Sequence, residues 1–358
     1  MPLESGAAPR RRATIKDVAK VAHVAPSTVS KALNNAHEIP EDTRRRVREA
    51  ADLIGYRPNA LARSLRMGSS RTIGAVTDDI EGVFSTLIVR GLEHHAQERG
   101  YTIFLSNSLG ERERERRDIE AFIDKQVDGL VIMDAVVHPR GPAAADTRDT
   151  PVVYVYCYPA DLDAPSIVPD DEGAGEVLTA HLLSTGRRHI AFLSGPRVGP
   201  GAFEASAHRL EGYLKAHAAA GLVPDAASIR YIEWDARSGY QGMAELLGSG
   251  AEIDSVVCAN DYIAVGAIEA IRLAGLGVPD DIAVAGFDNR AISSGLSVPL
   301  TTMAVDHEEM GRLAVRQIFA ARDGLATTAG RITVPSRLVI RESTARPGIP
   351  STTSGSSE

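Results

Sequence analysis

Residues 14–33 read Thr14-Ile15-Lys16-Asp17-Val18-Ala19-Lys20-Val21-Ala22-His23-Val24-Ala25-Pro26-Ser27-Thr28-Val29-Ser30-Lys31-Ala32-Leu33. Thr14 followed three residues later by Asp17 is a helix start, a capping hydroxyl with an acid in the first turn. Ile15, Val18, Ala19 and Ala22 then recur at helical spacing. Pro26 suits the first position of a second helix, with Val29, Ala32 and Leu33 as its apolar stripe. Only His23-Val24-Ala25 lies between, which is turn length. Two short helices joined by one tight turn make a helix-turn-helix, a motif whose second helix can enter the major groove of a duplex. Ser27, Thr28, Ser30 and Lys31 form the outer face of that second helix, and such groups can reach base edges and phosphates. An ordinary three-helix bundle with a solvated polar face has the same spacing.

Downstream, Val47, Ala50, Ala51 and Ile54 give a third helix from about Glu41 to Ile54, and Gly55 ends it. Pro58 and Gly68 then bound about two turns of helical pattern, Asn59-Ala60-Leu61-Ala62-Arg63-Ser64-Leu65-Arg66. Helices shorter than ~12 residues are marginal alone in water, so this one is expected to order only against a partner such as DNA. Charge is divided accordingly. From Arg10 to Arg66 there are 13 Lys/Arg against 6 Asp/Glu, whereas the whole chain of 358 residues carries a net charge of −8. A basic head on an acidic body is a footprint of nucleic-acid binding at one end.

Length points to two or three domains with sizeable cores. The two cysteines, Cys157 and Cys258, exclude a disulfide scaffold and a four-cysteine zinc site and fit a reducing cytosol. No apolar run approaches the ~20 residues of a membrane span. The start, with Arg10-Arg11-Arg12 and no apolar stretch after them, does not read as a secretory signal. A soluble, cytoplasmic protein with no membrane partner is expected.

From Thr72 onward, strand-like runs (Thr72–Val76, Thr102–Ser106, Gly129–Met133, Val152–Tyr156, His189–Leu193, Ser255–Cys258, Ile282–Ala285) alternate with helical patterns near 86–98, 112–125, 173–185, 204–220, 238–248 and 261–274. Such alternation predicts an α/β body of parallel sheets behind the α-helical head. Val127-Asp128-Gly129-Leu130-Val131-Ile132 is echoed by Ile253-Asp254-Ser255-Val256-Val257-Cys258, either as two similar lobes or as chance likeness between buried strands. Ligands of open α/β sheets sit beyond the carboxyl ends of the strands. Asp288, Asn260 and Asp261 follow strand-like runs, and Trp234, the only tryptophan, follows Arg230–Ile232. Asp288, Arg209 and Asn260 are candidates for the few converging polar groups of a pocket, with the indole face against a sugar or base. A core tryptophan, a helix-capping acid and a structural ion pair are the plainer readings of the same residues.

These residues resemble the LacI/GalR family of transcriptional regulators. The likeness is carried by Thr14-Ile15-Lys16-Asp17-Val18-Ala19, Val24, Thr28-Val29-Ser30, Leu33-Asn34, Tyr56-Arg57-Pro58-Asn59 and Ala62-Arg63-Ser64-Leu65. In the body it continues through Asp79-Ile80 with Phe84, Asp170-Asp171, Gly186-Arg187-Arg188-His189, Arg209-Leu210-Glu211-Gly212-Tyr213, Ala259-Asn260-Asp261 and Gly286-Phe287-Asp288, so that it spans roughly Thr14 to Arg341. The resemblance implies a basic arm (1–13), a helix-turn-helix domain (14–57), a hinge helix and linker (58–71), a two-lobed periplasmic-binding-protein-like body for effector and dimerisation (72–341), and a disordered tail (342–358). It implies major-groove reading by Pro26, Ser27 and Lys31 and a minor-groove leucine, Leu65, beside Ala62, an arrangement in which unstacking is exchanged for a bent duplex. Thr14, Thr28, Asn34 and Asn59 complete the implied DNA contacts. Asp79, Phe84, Tyr156, Arg209, Trp234, Asn260 and Asp288 are the implied effector residues.

A homodimer on a pseudo-palindromic operator follows, since two-fold proteins match two-fold sites. A carbohydrate effector that shifts the balance between two states of the body is also expected. Departures from the family are His23 for a usual glycine, Ala25 for a usual capping serine, Lys31 for arginine, and Tyr156-Cys157 where Asp-Arg is common. Glu81-Gly82-Val83, Phe203 and Ala205 also depart, and together they widen the expectation from a hexose to an aryl glycoside, modified sugar or nucleoside. No G-x-S-x-G, P-loop or H-E-x-x-H pattern is present, and Gly173-x-Gly175 lacks its third glycine at Leu178, so neither catalysis, a cofactor nor a metal is expected. The alternatives are a cytoplasmic small-molecule binding protein and an α/β enzyme.

Overall fold

A computed structural model of the chain describes residues 13–33, 38–57, 68–81, 84–140 (135–140 as backbone only), 147, 150–159, 164–197 and 204–344. It divides into two compact units, Met1–Ser70 and Arg71–Glu358. The predicted Asn34, Asn59, Ala62 and Leu65, with Phe203 and nearly all of the hinge stretch, lie outside the described residues.

In the first unit α1 (Ile15–Ala22), α2 (Pro26–Leu33) and α3 (Glu41–Leu53) close around Val18, Ala19, Ala22, Val29, Ala32 and Val47. The Asp17 carboxylate accepts both the Thr14 N–H (2.9 Å) and the Thr14 hydroxyl (2.7 Å), fixing the start of α1. His23 ends α1 in the left-handed region, φ 53°, where a Cβ is unfavourable. Ala25 precedes α2 with no side-chain acceptor to offer; its carbonyl receives the Val29 N–H at 3.1 Å. Arg46 on α3 donates to the Ala22 carbonyl (2.8 Å), which holds the turn from the far side.

The second unit holds two six-stranded sheets. In chain order it contains β1 (Thr72–Thr77), α4 (Ser85–Glu98), β2 (Thr102–Asn107), α5 (Arg112–Asp124), β3 (Gly129–Arg140), β4 (Val152–Pro159), β5 (Pro165–Pro169), α6 (Asp171–Ser184), β6 (Ile190–Ser194), α7 (Glu204–Ala219), β7 (Ile229–Tyr231), α8 (Ala236–Gly248), β8 (Ser255–Cys258), α9 (Asp261–Leu273), β9 (Ala283–Phe287), α10 (Ala291–Gly295), β10 (Thr301–Ala304), α11 (His307–Arg322), β11 (Gly330–Val334) and β12 (Arg337–Val339). The sheets run β2-β1-β3-β4-β5-β11 and β7-β6-β8-β9-β10-β12, parallel throughout except for the β10–β12 pair. Each is therefore the other's counterpart strand by strand.

The sequence echo falls on counterparts β3 and β8 and has a physical cause. Asp128 accepts the N–H of Arg71 (2.9 Å) at the entry to β1, and Asp254 accepts that of Arg188 (2.7 Å) at the entry to β6. Buried apolar clusters lie on both faces of each sheet, which is why the strands read as continuous apolar runs. Helices α6 and α7 touch backbone to backbone: a β-carbon on Gly212 would overlap the Glu172 carbonyl, and one on Gly175 the Arg209 carbonyl. The body also extends past Arg341, where the sequence reading ended it. Ser343 and Thr344 are fully buried, and Thr344 shares a hydroxyl hydrogen bond (2.7 Å) with Thr301. Among the described residues no helix is long and apolar enough to cross a membrane.

Candidate functional site

On α2, Pro26, Ser27 and Lys31 are exposed, and Thr28 is half-buried. Lys31 Nζ pairs with Glu38 at 2.6 Å, an exposed ion pair that keeps the Glu38 carboxyl below its usual range. A polar, cation-bearing strip on the second helix is the surface a major groove accepts. Thr14 lies at the start of α1, its hydroxyl already given to Asp17.

In the body the lobes face each other across the carboxyl ends of their strands. The first lobe presents rings. Phe84, just before α4, stacks on His307 at the start of α11, with centroids 4.3 Å apart and planes within 8°. Tyr156 of β4 lies near-parallel to both, 5.3 Å from Phe84 and 5.8 Å from His307. Its hydroxyl shares a 2.8 Å hydrogen bond with His307 Nε2. Burial lowers the His307 pKa to about 4, so the ring is neutral. Burial, reinforced by Asp171 and Asp288, pushes the Tyr156 phenol well up.

The second lobe presents charge. Arg209 of α7 donates through Nε to Asp171 (2.7 Å) and through Nη1 to the Ala259 carbonyl (2.5 Å), while Nη2 faces Asp288 Oδ1 at 3.5 Å. Burial works against its charge, but Asp171 and Asp288 outweigh it and hold the guanidinium pKa above its ordinary value. Arg290 reaches Asp288 Oδ2 (3.4 Å) and lies over Tyr262 of its own lobe (4.7 Å) and Phe84 of the other (5.3 Å). Asp261 accepts the Thr302 hydroxyl (2.6 Å) and the Arg290 N–H (2.7 Å). Burial and the nearby Asp288 raise its pKa to about 7.

A second inter-lobe contact joins Glu204 of α7 to the Tyr158 hydroxyl and, at 3.7 Å, to Arg331 of β11. Three buried polar atoms on this side make no hydrogen bond: Asp288 Oδ1, Ser206 Oγ and Glu204 Oε2. The backbone is unusual here as well, with left-handed φ at Tyr156 (61°), Asp288 (95°) and Asn289 (49°). Such conformations persist where surrounding structure holds them and cluster at functional sites.

The predicted effector residues are distributed as follows. Phe84, Tyr156, Arg209 and Asp288 meet at the inter-lobe cleft. Trp234 lies so close to Gly195 that a β-carbon there would strike its ring and the Ser206 hydroxyl. The Asn260 carboxamide caps α9 through the Ile263 N–H (2.7 Å) and donates to the Trp234 carbonyl (3.0 Å), so it positions the tryptophan loop. Asp79 is exposed and turns its own loop by accepting the Glu81 N–H at 2.9 Å. His307, Arg290, Tyr158 and Glu204 were not singled out from the sequence. Asp306-His307-Glu308-Glu309, with Asp306 capping the Glu309 N–H, was the readable signal for the helix that carries His307.

Residues 14–59 match the bacterial regulatory proteins of the lacI family, and residues 179–344 match the periplasmic binding protein-like domain. The chain is 34% identical over 305 residues to the ribose operon repressor of Escherichia coli (strain K12), covering 85% of this chain and 91% of that protein. It is 31% identical over 333 residues to the HTH-type transcriptional repressor CytR of the same organism, covering 93% and 96%. Among solved structures it resembles the Lac repressor dimer bound to operator and the anti-inducer ONPF, with a TM-score of 0.80, 27% identity, and coverage of 94% and 100%. It also resembles the transcriptional regulator CelR–cellobiose complex, with a TM-score of 0.66, 28% identity, and coverage of 93% and 100%.

Proposed function

The chain belongs to the lacI family of bacterial regulatory proteins, and from that premise we propose how its parts divide the work. It is a DNA-binding transcriptional repressor controlled by a small-molecule effector, and it is not an enzyme. In our reading it acts in the cytoplasm as a homodimer on a two-fold operator. Residues 14–57 contact DNA, 58–71 transmit the signal and 72–344 bind effector, with 1–13 and 345–358 outside these tasks. Pro26, Ser27 and Lys31 read the major groove; Thr14, Thr28, Asn34 and Asn59 hold the frame; Leu65, beside Ala62, enters the minor groove.

The effector, a sugar, glycoside or nucleoside, lies between Phe84 and Tyr156 on one side and Arg209, Asp288 and Trp234 on the other, with Asn260 and Asp79 supporting the loops. The observation that carries this reading is the cleft itself, where groups from both lobes already touch at Arg290–Phe84 and Glu204–Tyr158. A ligand there bears on two lobes at once, which is how differential affinity for two body states arises.

The test is selection of bound duplexes from a random pool by the full chain, followed by competition with sugars, glycosides and nucleosides. A two-fold consensus is expected, and Lys31→Ala should relax it at one position per half-site, at a cost of ~1–3 kcal/mol if that contact is to a base. Recovery of no consensus overturns the reading.

A further inference from the structure

The turn that presents Asp288 and Arg290 to the cleft has a backbone that does not hold itself. Asp288 (φ 95°) and Asn289 (φ 49°) are consecutive left-handed residues, and neither is glycine. Such a pair persists only where its surroundings fix it. One grip comes through Asp261. The Arg290 N–H donates to Asp261 Oδ2 (2.7 Å), and the Asn289 N–H donates to the Thr302 hydroxyl (3.2 Å), which donates in turn to Asp261 Oδ1 (2.6 Å). The second grip is Arg341. Its Nη2 donates to the Asn289 carboxamide oxygen at 2.7 Å, and its Nη1 donates to the Leu300 carbonyl (2.7 Å) and the Ser293 hydroxyl (3.2 Å). That hydroxyl donates to the Arg290 carbonyl at 2.7 Å. Both sides of the turn are therefore tied to one guanidinium.

The second grip acts by geometry rather than by charge balance. Asp288 already has Arg209 and Arg290 as counter-charges. Among the described residues Arg341 pairs with no carboxylate and gives its side-chain donors to neutral acceptors within the stretch 289–300. Its own place is fixed as well. The Arg341 N–H donates to the Thr301 hydroxyl (2.8 Å), which lies 3.0 Å from the Arg341 carbonyl. Two residues on, the fully buried Ser343 gives its N–H to the Pro299 carbonyl (2.9 Å) and accepts the Val284 N–H (3.0 Å). Arg341 stands just past β12, and only residues 335–336 join β12 to β11 of the first lobe. The hold on the second lobe's turn is thus the end of a segment that crosses between the lobes.

We propose that Arg341 is a positioning residue for effector recognition: acting through Asn289, it sets the direction in which Asp288 and Arg290 meet a ligand in the cleft. The inference rests on the reading of the cleft given above. The deciding measurement is hydrogen exchange on the full chain, without duplex or effector, comparing the turn (288–293) with the core strand β8 (255–258). Arg341→Met keeps the stem and removes the donors, and exchange of the turn should rise about tenfold or more beyond any change in β8. Thr344→Val, in the same segment, removes the hydroxyl contacts with Thr301 (2.7 Å) and His181 (2.8 Å) and spares the bond to Asn289, so it should not separate the turn from β8. Turn and core rising together in Arg341→Met overturns the proposal, as does equal loosening of the turn in Thr344→Val.

Asn289→Gly, unstrained at this φ, removes the acceptor and leaves Arg341 in place. It should loosen the turn as Arg341→Met does and decides the question should that variant not fold; an unmoved turn there overturns the proposal. Arg341→Met added to it should change the turn by no more than about twofold, and a further tenfold rise would show that the arginine does not act through Asn289. Affinity supplies a readout that lost stability alone leaves in place. D-ribose, cytidine, adenosine and cellobiose are titrated calorimetrically at a temperature where every variant is folded. A compound bound by the parent should bind Arg341→Met and Asn289→Gly about tenfold or more weakly, and Thr344→Val within about threefold. Equal loss in all three overturns the proposal. A panel with no binder, or a failed search for an operator, would count against the effector reading and leave the exchange result standing.

Discussion

The two walls of the cleft grow from counterpart strands of counterpart sheets. Tyr156 directly follows the regular stretch of β4 that pairs with β3, and Asp288 directly follows β9, the matching strand of the other lobe. Both residues leave the sheet with a left-handed φ, 61° and 95°. From one backbone solution come two chemistries. The first lobe stacks three rings and keeps the His307 imidazole among them neutral. The second packs two guanidiniums among three carboxylates that are all but inaccessible to solvent. The scaffold thus decides where a group projects, and the residues just past the strand ends decide what is presented. The cost differs as well. Rings lose little on leaving water, whereas buried charges are tolerable only while each has its counter-charge.

That asymmetry predicts where the body is fragile. Arg209→Met conserves length and apolar stem but leaves Asp171 and Asp288 buried without their shared cation. We expect a loss of about 3–5 kcal/mol in denaturant unfolding of the body. Phe84→Leu on the opposite wall, a volume-tolerant change at a half-buried ring, should cost less than half of that. Equal losses would erase the distinction between the walls.

The same distinction explains what could be read before any coordinates. The helix-turn-helix was legible because each of its decisions is local: a cap at Thr14, a proline at Pro26, a stripe at Val29 and Ala32. Arg209 and Asp288 could be named from the family likeness, and Asp288 also from its place after a strand. Their partners could not. His307 is 151 positions from the tyrosine it bonds, and α11 was not foreseen. Arg290 and Phe84 come from different lobes, and no pattern along the chain pairs them. Strand β5, bounded by Pro165 and Pro169, and the short β10 and β12 passed unnoticed. Three to five residues carry too little periodicity, and β5, buried along its whole length, shows none. Lys31 was readable as a groove-facing cation, but its exposed pairing with Glu38 was not, since nothing in the spacing of seven residues requires it.

Titration should separate the walls by sign. The folded pKa of His307, about 4, lies below its ordinary 6.5, so its contribution is full above pH 6.5 and is lost as pH falls toward 4. The folded pKa of Asp261, about 7, lies above its ordinary 3.8, so its contribution is full below pH 3.8 and is lost as pH rises toward 7. Between pH 4 and 6.5 the two slopes oppose each other. Asp261→Asn, whose amide can accept the Arg290 N–H and donate to Thr302, should leave a body that gains on the order of 2 kcal/mol from pH 4.5 to 6.5 relative to the parent. His307→Phe, which keeps a ring in the stack, should tilt the curve the other way. Parallel curves for both variants would show that the walls do not titrate independently.

The smallest effect asks which part of Tyr156 matters. Tyr156→Phe removes the hydroxyl and leaves His307 Nε2 without its partner, at about 1 kcal/mol in the unfolding of the body. The ring face survives that change, so affinity for a neutral effector should stay within about twofold. Tyr156→Ala removes the face and should weaken the same effector tenfold or more. If the phenylalanine variant loses as much affinity as the alanine one, the ligand is held through the phenol oxygen. The aromatic wall would then be a polar one in disguise, and the contrast between the lobes would shrink to the arginines alone.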